Sequence, residues 1–92
     1  MAKLLVTAEV NDPAQWEKGF RTHGELFKSF GVKSPTLFGK NENNEVAVLQ
    51  DVDDPGAAVE ALNSPENIQA MGADGVKRDT VKAFILDKEF SF

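Results

Sequence analysis

The sequence contains no cysteine and only one histidine among its 92 residues. Without cysteine the chain cannot form a disulfide, a thiolate nucleophile or a zinc–sulfur site. Transition-metal sites are commonly built from several imidazole or thiolate ligands, so a lone histidine argues against such a site within one chain. We therefore expect no metal ion and no cofactor. The absence of cysteine also fits a reducing compartment.

Positive charge is scarce as well. Ten Lys and Arg residues are outnumbered by 15 Asp and Glu residues, which gives a net charge of −5. Binding to phosphates depends on clustered Lys and Arg, so neither nucleic acid nor an anionic membrane is an expected partner. No apolar run approaches the roughly 20 residues of a membrane helix, and the first residues lack the apolar core of a signal peptide. We predict one cytoplasmic domain spanning residues 1–92.

Three predicted helix starts share one pattern, in which an N-cap oxygen acceptor precedes a proline. The pattern occurs at Asp12-Pro13, Asp54-Pro55 and Ser64-Pro65. The first helix is predicted over residues 13–30, ending at Gly31. Gly19 and Gly24 weaken it by up to about 1 kcal/mol each relative to alanine, and they can allow close approach of a neighbour or a ligand. The other two starts predict an interrupted helical region that ends in residues 72–75.

Alternating apolar and polar residues predict the strands. The predicted strands cover residues 3–10, 36–40, 45–52 and 80–90, and the middle two form a hairpin. The resulting order is β-α-β-β-α-β. With right-handed crossovers this order predicts an α+β fold, a ferredoxin-like antiparallel sheet with its helices on one face.

An aromatic stripe follows the predicted first helix. Its members share one helical face and include the only histidine: Trp16, Phe20, His23, Phe27 and Phe30. Imidazole can transfer protons near neutral pH, so His23 is a candidate general acid or base, or a donor to a bound carbonyl or phenol. The alternative is a neutral histidine that fills the core. Trp16, Phe20 and Phe27 either line a pocket for an aromatic ligand or are ordinary core residues.

A second polar group near His23 is predicted on the hairpin. Gln50 shares a strand face with the small apolar residues expected beneath the first helix, so it is a candidate substrate-binding residue. Thr7, Glu9 and Asp51 alternate to the other side, toward a partner sheet or the rim.

The sheet is predicted to be apolar on both faces, although the chain has helices for only one. The second face carries Leu5, Leu37, Leu49, Phe84 and Leu86. Large exposed apolar patches are rare on monomers, so we predict a homodimer packed sheet to sheet. Phe90 and Phe92 are expected to pack across that interface.

Taken together, these features resemble the dimeric α/β-barrel superfamily, with its antibiotic-biosynthesis-monooxygenase-like and uncharacterised small members. The resemblance covers nearly the whole chain. It is carried by the helix entry VNDPAQW, the phenylalanine and histidine run ending at Gly31, the strand NNEVAVLQDVDDP and the interrupted helix NSPENIQAMGADGV. It implies paired sheets with helices outside, and a pocket between helices and sheet, on the side where His23 is expected.

The superfamily includes cofactor-independent monooxygenases of quinol-like substrates, polyketide cyclases, lactone isomerases and haem degraders. Haem degraders resemble this chain poorly, because they combine an axial histidine with asparagine and tryptophan elsewhere, whereas Trp16 and His23 are predicted on one helix. Two hypotheses follow from the resemblance. One is a small homodimeric enzyme without a cofactor, a monooxygenase, isomerase or cyclase that uses His23. The other is a non-catalytic ligand-binding or stress-type dimer with His23 as core.

Overall fold

The computed structural model describes residues 2–92 and contains a four-stranded antiparallel sheet with the helices on one face. The elements are β1 (Ala2–Glu9), α1 (Pro13–Phe20), α2 (Gly24–Ser29), β2 (Val32–Lys40), β3 (Glu45–Val52), α3 (Pro55–Leu62), α4 (Pro65–Ala73) and β4 (Lys82–Leu86). The strand order is β2-β3-β1-β4, which confirms the predicted ferredoxin-like α+β fold. None of the helices in the described part is long and apolar enough to cross a membrane.

Local chemistry sets the helix starts as the sequence predicts. The Asp12 carboxylate accepts hydrogen bonds from the backbone of Ala14 and Gln15. Asp54 caps α3 and Ser64 caps α4 in the same way, through bonds of 3.1 Å and 3.3 Å to backbone N–H groups. Each cap satisfies donors that the first turn of a helix otherwise leaves without partners.

The prediction of one continuous helix over residues 13–30 is wrong, because the chain breaks into α1 and α2. At the break the Thr22 hydroxyl donates to the Gly19 carbonyl at 2.6 Å. The backbone N–H groups of Thr22 and His23 also donate to carbonyls only three residues back. Gly19 and Gly24, both poor helix formers, flank this tightened turn. His23 therefore lies at a junction between two short helices rather than within one helix.

The largest differences from the predicted strand boundaries are in β2 and β4. β2 begins at Val32, four residues earlier than predicted, and its pairing with β3 shifts register between Lys33 and Leu37. β4 ends at Leu86, and residues 87–92 form no regular structure. Phe90 and Phe92 lie in that segment, 81% and 109% exposed, with their rings 5.4 Å apart.

The inner face of the sheet forms the core with the helices. Its buried members, together with the helical residues packed on them, are Leu4, Ala8, Val46, Val48, Val52, Trp16 and Ala58. Ala83 of β4, which pairs with Val6 on the inner face, is exposed.

The second, outer face of the sheet carries the predicted apolar residues, beside the polar residues Lys3, Thr7 and Lys82. The pairing register places Leu37, Leu49, Leu5 and Phe84 opposite one another in a single row across all four strands. Leu37 and Phe84 are 64% and 47% exposed, and Leu86 on the same face is 43% exposed. We call Leu5, Leu37, Leu49, Phe84 and Leu86 the outer apolar face. That a second copy covers it stays a prediction.

Candidate functional site

A cavity of about 90 Å³ lies between the helices and the inner face of the sheet, partly open to solvent. All five site residues predicted from the sequence line it: Trp16, Phe20, His23, Phe27 and Gln50. The structure therefore brings these residues together, and their roles stay predictions.

Aromatic rings form one wall of the cavity. The Trp16 and Phe20 rings stack with their centroids 4.8 Å apart, and Phe20 contacts Phe27 at 5.2 Å. Behind this wall lies Phe38 of β2, which the helical spacing could not reveal; its ring centroid is 4.9 Å from that of Phe20. Trp16 is only 5% exposed and belongs to the main core cluster. The innermost part of the stripe is thus core, whereas Phe27 is only partly buried.

The His23 side chain extends from the junction between α1 and α2 to this wall of the cavity, where it has a hydrogen-bond partner. Its Nε2 atom lies 2.9 Å from Oδ2 of Asp74, the residue that follows α4. The two side chains are 22% and 10% exposed, so the pair is largely shielded from water. The short distance in a shielded place makes this a well-formed hydrogen bond rather than a surface ion pair.

Asp74 is the site residue that the sequence analysis missed. The sequence places it only at the end of a helical region, because an acidic residue in the segment Gly72-Ala73-Asp74-Gly75 matches no motif of a functional site. Its partner is 51 positions away in the chain. No local spacing connects the two residues, and only the packing of α4 beside the α1–α2 junction does so.

Gly19 makes the close approach of Asp74 possible, which confirms the prediction for one of the two glycines. A Cβ atom at Gly19 would lie 2.5 Å from Cγ of Asp74 and closer still to Oδ1, whereas a Cβ at Gly24 would meet nothing within 4 Å. Asp74 therefore occupies the space that any side chain at position 19 would need.

Replacing Gly19 with alanine should destabilise the protein. The new methyl group can fit only if Asp74 moves away from His23, so we expect the free energy of unfolding to fall by about 1–3 kcal/mol, the usual cost of overpacking. Chemical denaturation would measure it. Gly72→Ala in α4 is the matched control, because nothing lies within 4 Å of its Cβ position. Its stability should stay level or rise by up to about 1 kcal/mol. Equal effects of the two substitutions would contradict the contact.

The Asp74 bond also determines which imidazole nitrogen can react. A carboxylate accepts hydrogen bonds, so Nε2 of a neutral His23 carries the proton and donates it to Asp74. The other nitrogen, Nδ1, has no hydrogen-bond partner among residues 2–92. Nδ1 is therefore the nitrogen with a free lone pair. In a catalytic triad a carboxylate also orients a histidine, but there it bonds to Nδ1, whereas here Asp74 bonds to Nε2.

Gln50 occupies β3 on the inner face, opposite Leu4 of β1, and is only 7% exposed. This agrees with the predicted direction of its side chain. Asp51, the next residue, points to the other side and pairs with Lys3 at 2.7 Å. Within residues 2–92 no three His, Cys, Asp or Glu side chains are grouped so that they could share a metal ion.

No protein-family model and no curated protein matches this chain. Solved structures do match across nearly the whole chain. SnoaB, described as a cofactor-independent oxygenase from Streptomyces nogalater, is 17% identical, with 98% of this chain and 94% of that chain covered and a TM-score of 0.69. A candidate antibiotic biosynthesis monooxygenase from Bordetella bronchiseptica is 11% identical, with 97% of both chains covered and a TM-score of 0.75.

A third similar structure carries no activity in its name. It is the protein At3g17210 from Arabidopsis thaliana, 12% identical, with 100% of this chain and 99% of that chain covered and a TM-score of 0.67. At these identities the shared feature is the fold. The chain has a ferredoxin-like fold, which it shares with solved structures named as antibiotic biosynthesis monooxygenases. Such a fold hosts many activities, so function has to be argued from the site.

Proposed function

We propose that this protein is a homodimer that binds a small apolar or aromatic ligand in the cavity between the helices and the sheet. We further propose that it acts on this ligand without a cofactor, by monooxygenation or by proton transfer during isomerisation or cyclisation. The observation that carries the proposal is the His23–Asp74 hydrogen bond at the wall of an otherwise mainly apolar cavity. A shielded pair of this kind holds a base in one orientation, which simple core packing does not require.

In this scheme Nδ1 of His23 removes a proton from the bound ligand, and Asp74 stabilises the resulting imidazolium. The deprotonated ligand can then rearrange and take the proton back at another atom. If it is electron-rich, it can instead bond to dioxygen through carbon, take up the proton as a hydroperoxide and lose water, so that one oxygen atom stays on the ligand as a carbonyl and the ligand supplies all the electrons. The aromatic wall excludes water from the anion while it exists. SnoaB, which shares the fold, is named as a cofactor-independent oxygenase, and this supports the oxygenation branch of the proposal.

The experiment follows the imidazole by NMR, which is unambiguous because the chain has one histidine. Small phenols, quinones and lactones are added in turn, and every compound that shifts the imidazole signals is assayed for turnover and oxygen consumption. We expect at least one class of compound to shift the signals and to be converted. Imidazole signals that ignore the whole panel would overturn the proposal.

Asp74→Asn should lower turnover of such a compound by at least about tenfold, because the neutral amide cannot stabilise an imidazolium and can hold the ring in the wrong tautomer. The variant keeps the size of the side chain, so the fold should be retained. Asp79→Asn is the control, since Asp79 is exposed, and its turnover should match wild type. Steady-state kinetics measures both variants. Unchanged turnover in Asp74→Asn would show that the pair is structural.

The second candidate function is a non-catalytic ligand-binding or stress-type dimer. The burial of Trp16 within the core cluster favours it, because part of the stripe serves packing alone. The imidazole experiment separates the two candidates, since a carrier would show shifted signals without turnover.

A further inference from the structure

We propose that Gln50 binds an uncharged, oxygen-bearing group of the ligand, a hydroxyl or a carbonyl, and that the cavity therefore selects neutral ligands over carboxylates. This inference rests on the proposed function, because it requires that the cavity bind a ligand. It adds the chemical class of that ligand and the residue that recognises it.

The first observation concerns hydrogen bonds. Three polar residues are buried in the described part of the chain, namely Gln50, Asn67 and Asp74. Asp74 is engaged by His23, and the Asn67 amide donates to the Leu62 carbonyl at 3.2 Å. The Gln50 amide alone among the three makes no side-chain hydrogen bond within residues 2–92.

The second observation places this amide at the cavity. In the described residues no completely enclosed side-chain nitrogen or oxygen lacks a partner. Because the Gln50 amide has no partner, its nitrogen and oxygen cannot be completely enclosed. They therefore border space that solvent can reach, although the residue as a whole is only 7% exposed. Gln50 lines the cavity. A ligand that covers this amide without pairing with it would leave a polar group buried and unpaired, which is unfavourable, so a ligand group that pairs with it binds more tightly.

Charge narrows the class of ligand. No Lys or Arg of the described residues lines the cavity, and its one carboxylate, Asp74, is bound to His23. A ligand carboxylate would have to lose water beside a like charge, with no arginine or lysine to receive it. A primary amide both donates and accepts, which matches a hydroxyl or a carbonyl oxygen.

Size limits what enters. An apolar cavity of roughly 150 Å³ holds benzene, which has six non-hydrogen atoms. In proportion, the cavity of about 90 Å³ in this protein holds roughly four non-hydrogen atoms. The enclosed space thus accommodates the oxygen-bearing end of one ring, and the remainder of the ring lies at the open side of the cavity.

The experiment uses three probes with the same seven-carbon skeleton: benzyl alcohol, toluene and benzoate. Each is titrated into the ¹⁵N-labelled protein while the Gln50 side-chain amide and the His23 imidazole are followed by NMR. We expect benzyl alcohol to shift both signals and to bind about tenfold more tightly than toluene, the effect of one hydrogen bond to a buried group. Benzoate should bind most weakly of the three.

Gln50→Met tests the residue itself, because methionine is unbranched and of similar length but cannot form the amide bonds. The preference for benzyl alcohol over toluene should disappear in this variant. It should persist in Gln69→Met, the control at an exposed glutamine. Should Gln50→Met fail to fold, the wild-type order of the three probes still decides the question.

The outcomes separate the two proposals. If toluene or benzoate binds as tightly as benzyl alcohol while the His23 signals shift, the role of Gln50 is wrong and the ligand cavity stands. If none of the three probes shifts either signal and the phenols, quinones and lactones also fail, both proposals are overturned.

Discussion

Replacing His23 with glutamine is expected to lower turnover by about 10²–10⁴-fold, the usual contribution of a general acid or base. Glutamine places an N–H donor near the position of Nε2, so the bond to Asp74 can survive while proton transfer cannot. The free energy of unfolding should therefore change by less than about 1.5 kcal/mol. Steady-state kinetics and chemical denaturation of the same preparation measure the two effects.

His23→Phe is the companion variant, because it removes the hydrogen bond to Asp74 as well as proton transfer. Phenylalanine can fill the space of the imidazole, but it cannot bond to Asp74. The Asp74 side chain, 10% exposed, would lose its hydrogen-bond partner, so we expect the free energy of unfolding to fall by about 1–3 kcal/mol. A protein that keeps full turnover with glutamine at position 23 would rule out proton transfer by His23.

Replacing Phe84 with glutamate is expected to convert the proposed dimer into monomers at micromolar concentration. Phe84 belongs to the row that crosses all four strands of the outer apolar face. In a two-fold symmetric dimer the substitution occurs twice, and each new carboxylate would lose its water among leucine side chains. We expect the dissociation constant to rise by at least about 100-fold, the cost of an unpaired buried charge. Light scattering after size exclusion, and sedimentation over a concentration series, measure it.

Ile68→Glu is the matched control for this experiment. Ile68 is a similarly exposed apolar residue, 40% against 47% for Phe84, but it lies on α4 in the helical layer. The control variant should keep the mass of wild type. A wild-type protein that is already a monomer at these concentrations would remove the dimer from the proposed function, although the cavity and the His23–Asp74 pair belong to a single chain.

Much of the architecture could be predicted because its causes are local. The Asp12, Asp54 and Ser64 caps act on backbone groups two or three residues away, so the helix starts are encoded next to where they occur. Strand faces follow from alternation, which is why Gln50 was assigned to the inner face. Helical periodicity, in contrast, gave a wrong prediction at residues 21–23. The apolar period of a helix continues there in the sequence, but the Thr22 hydroxyl and the two flanking glycines end the helix.

The sequence by itself determined the order of elements, the two faces of the sheet and five of the residues that line the cavity. Only the tertiary structure decided how those residues are connected. The partner of His23 is 51 positions away, and Gly19 leaves the space that Asp74 occupies beside it. The tertiary structure likewise decided whether the Gln50 side-chain amide has a hydrogen-bond partner, because that depends on which helical residues pack near it. Hydrogen-bond partners across a core are selected by packing between distant segments, and no pattern within one segment records that selection.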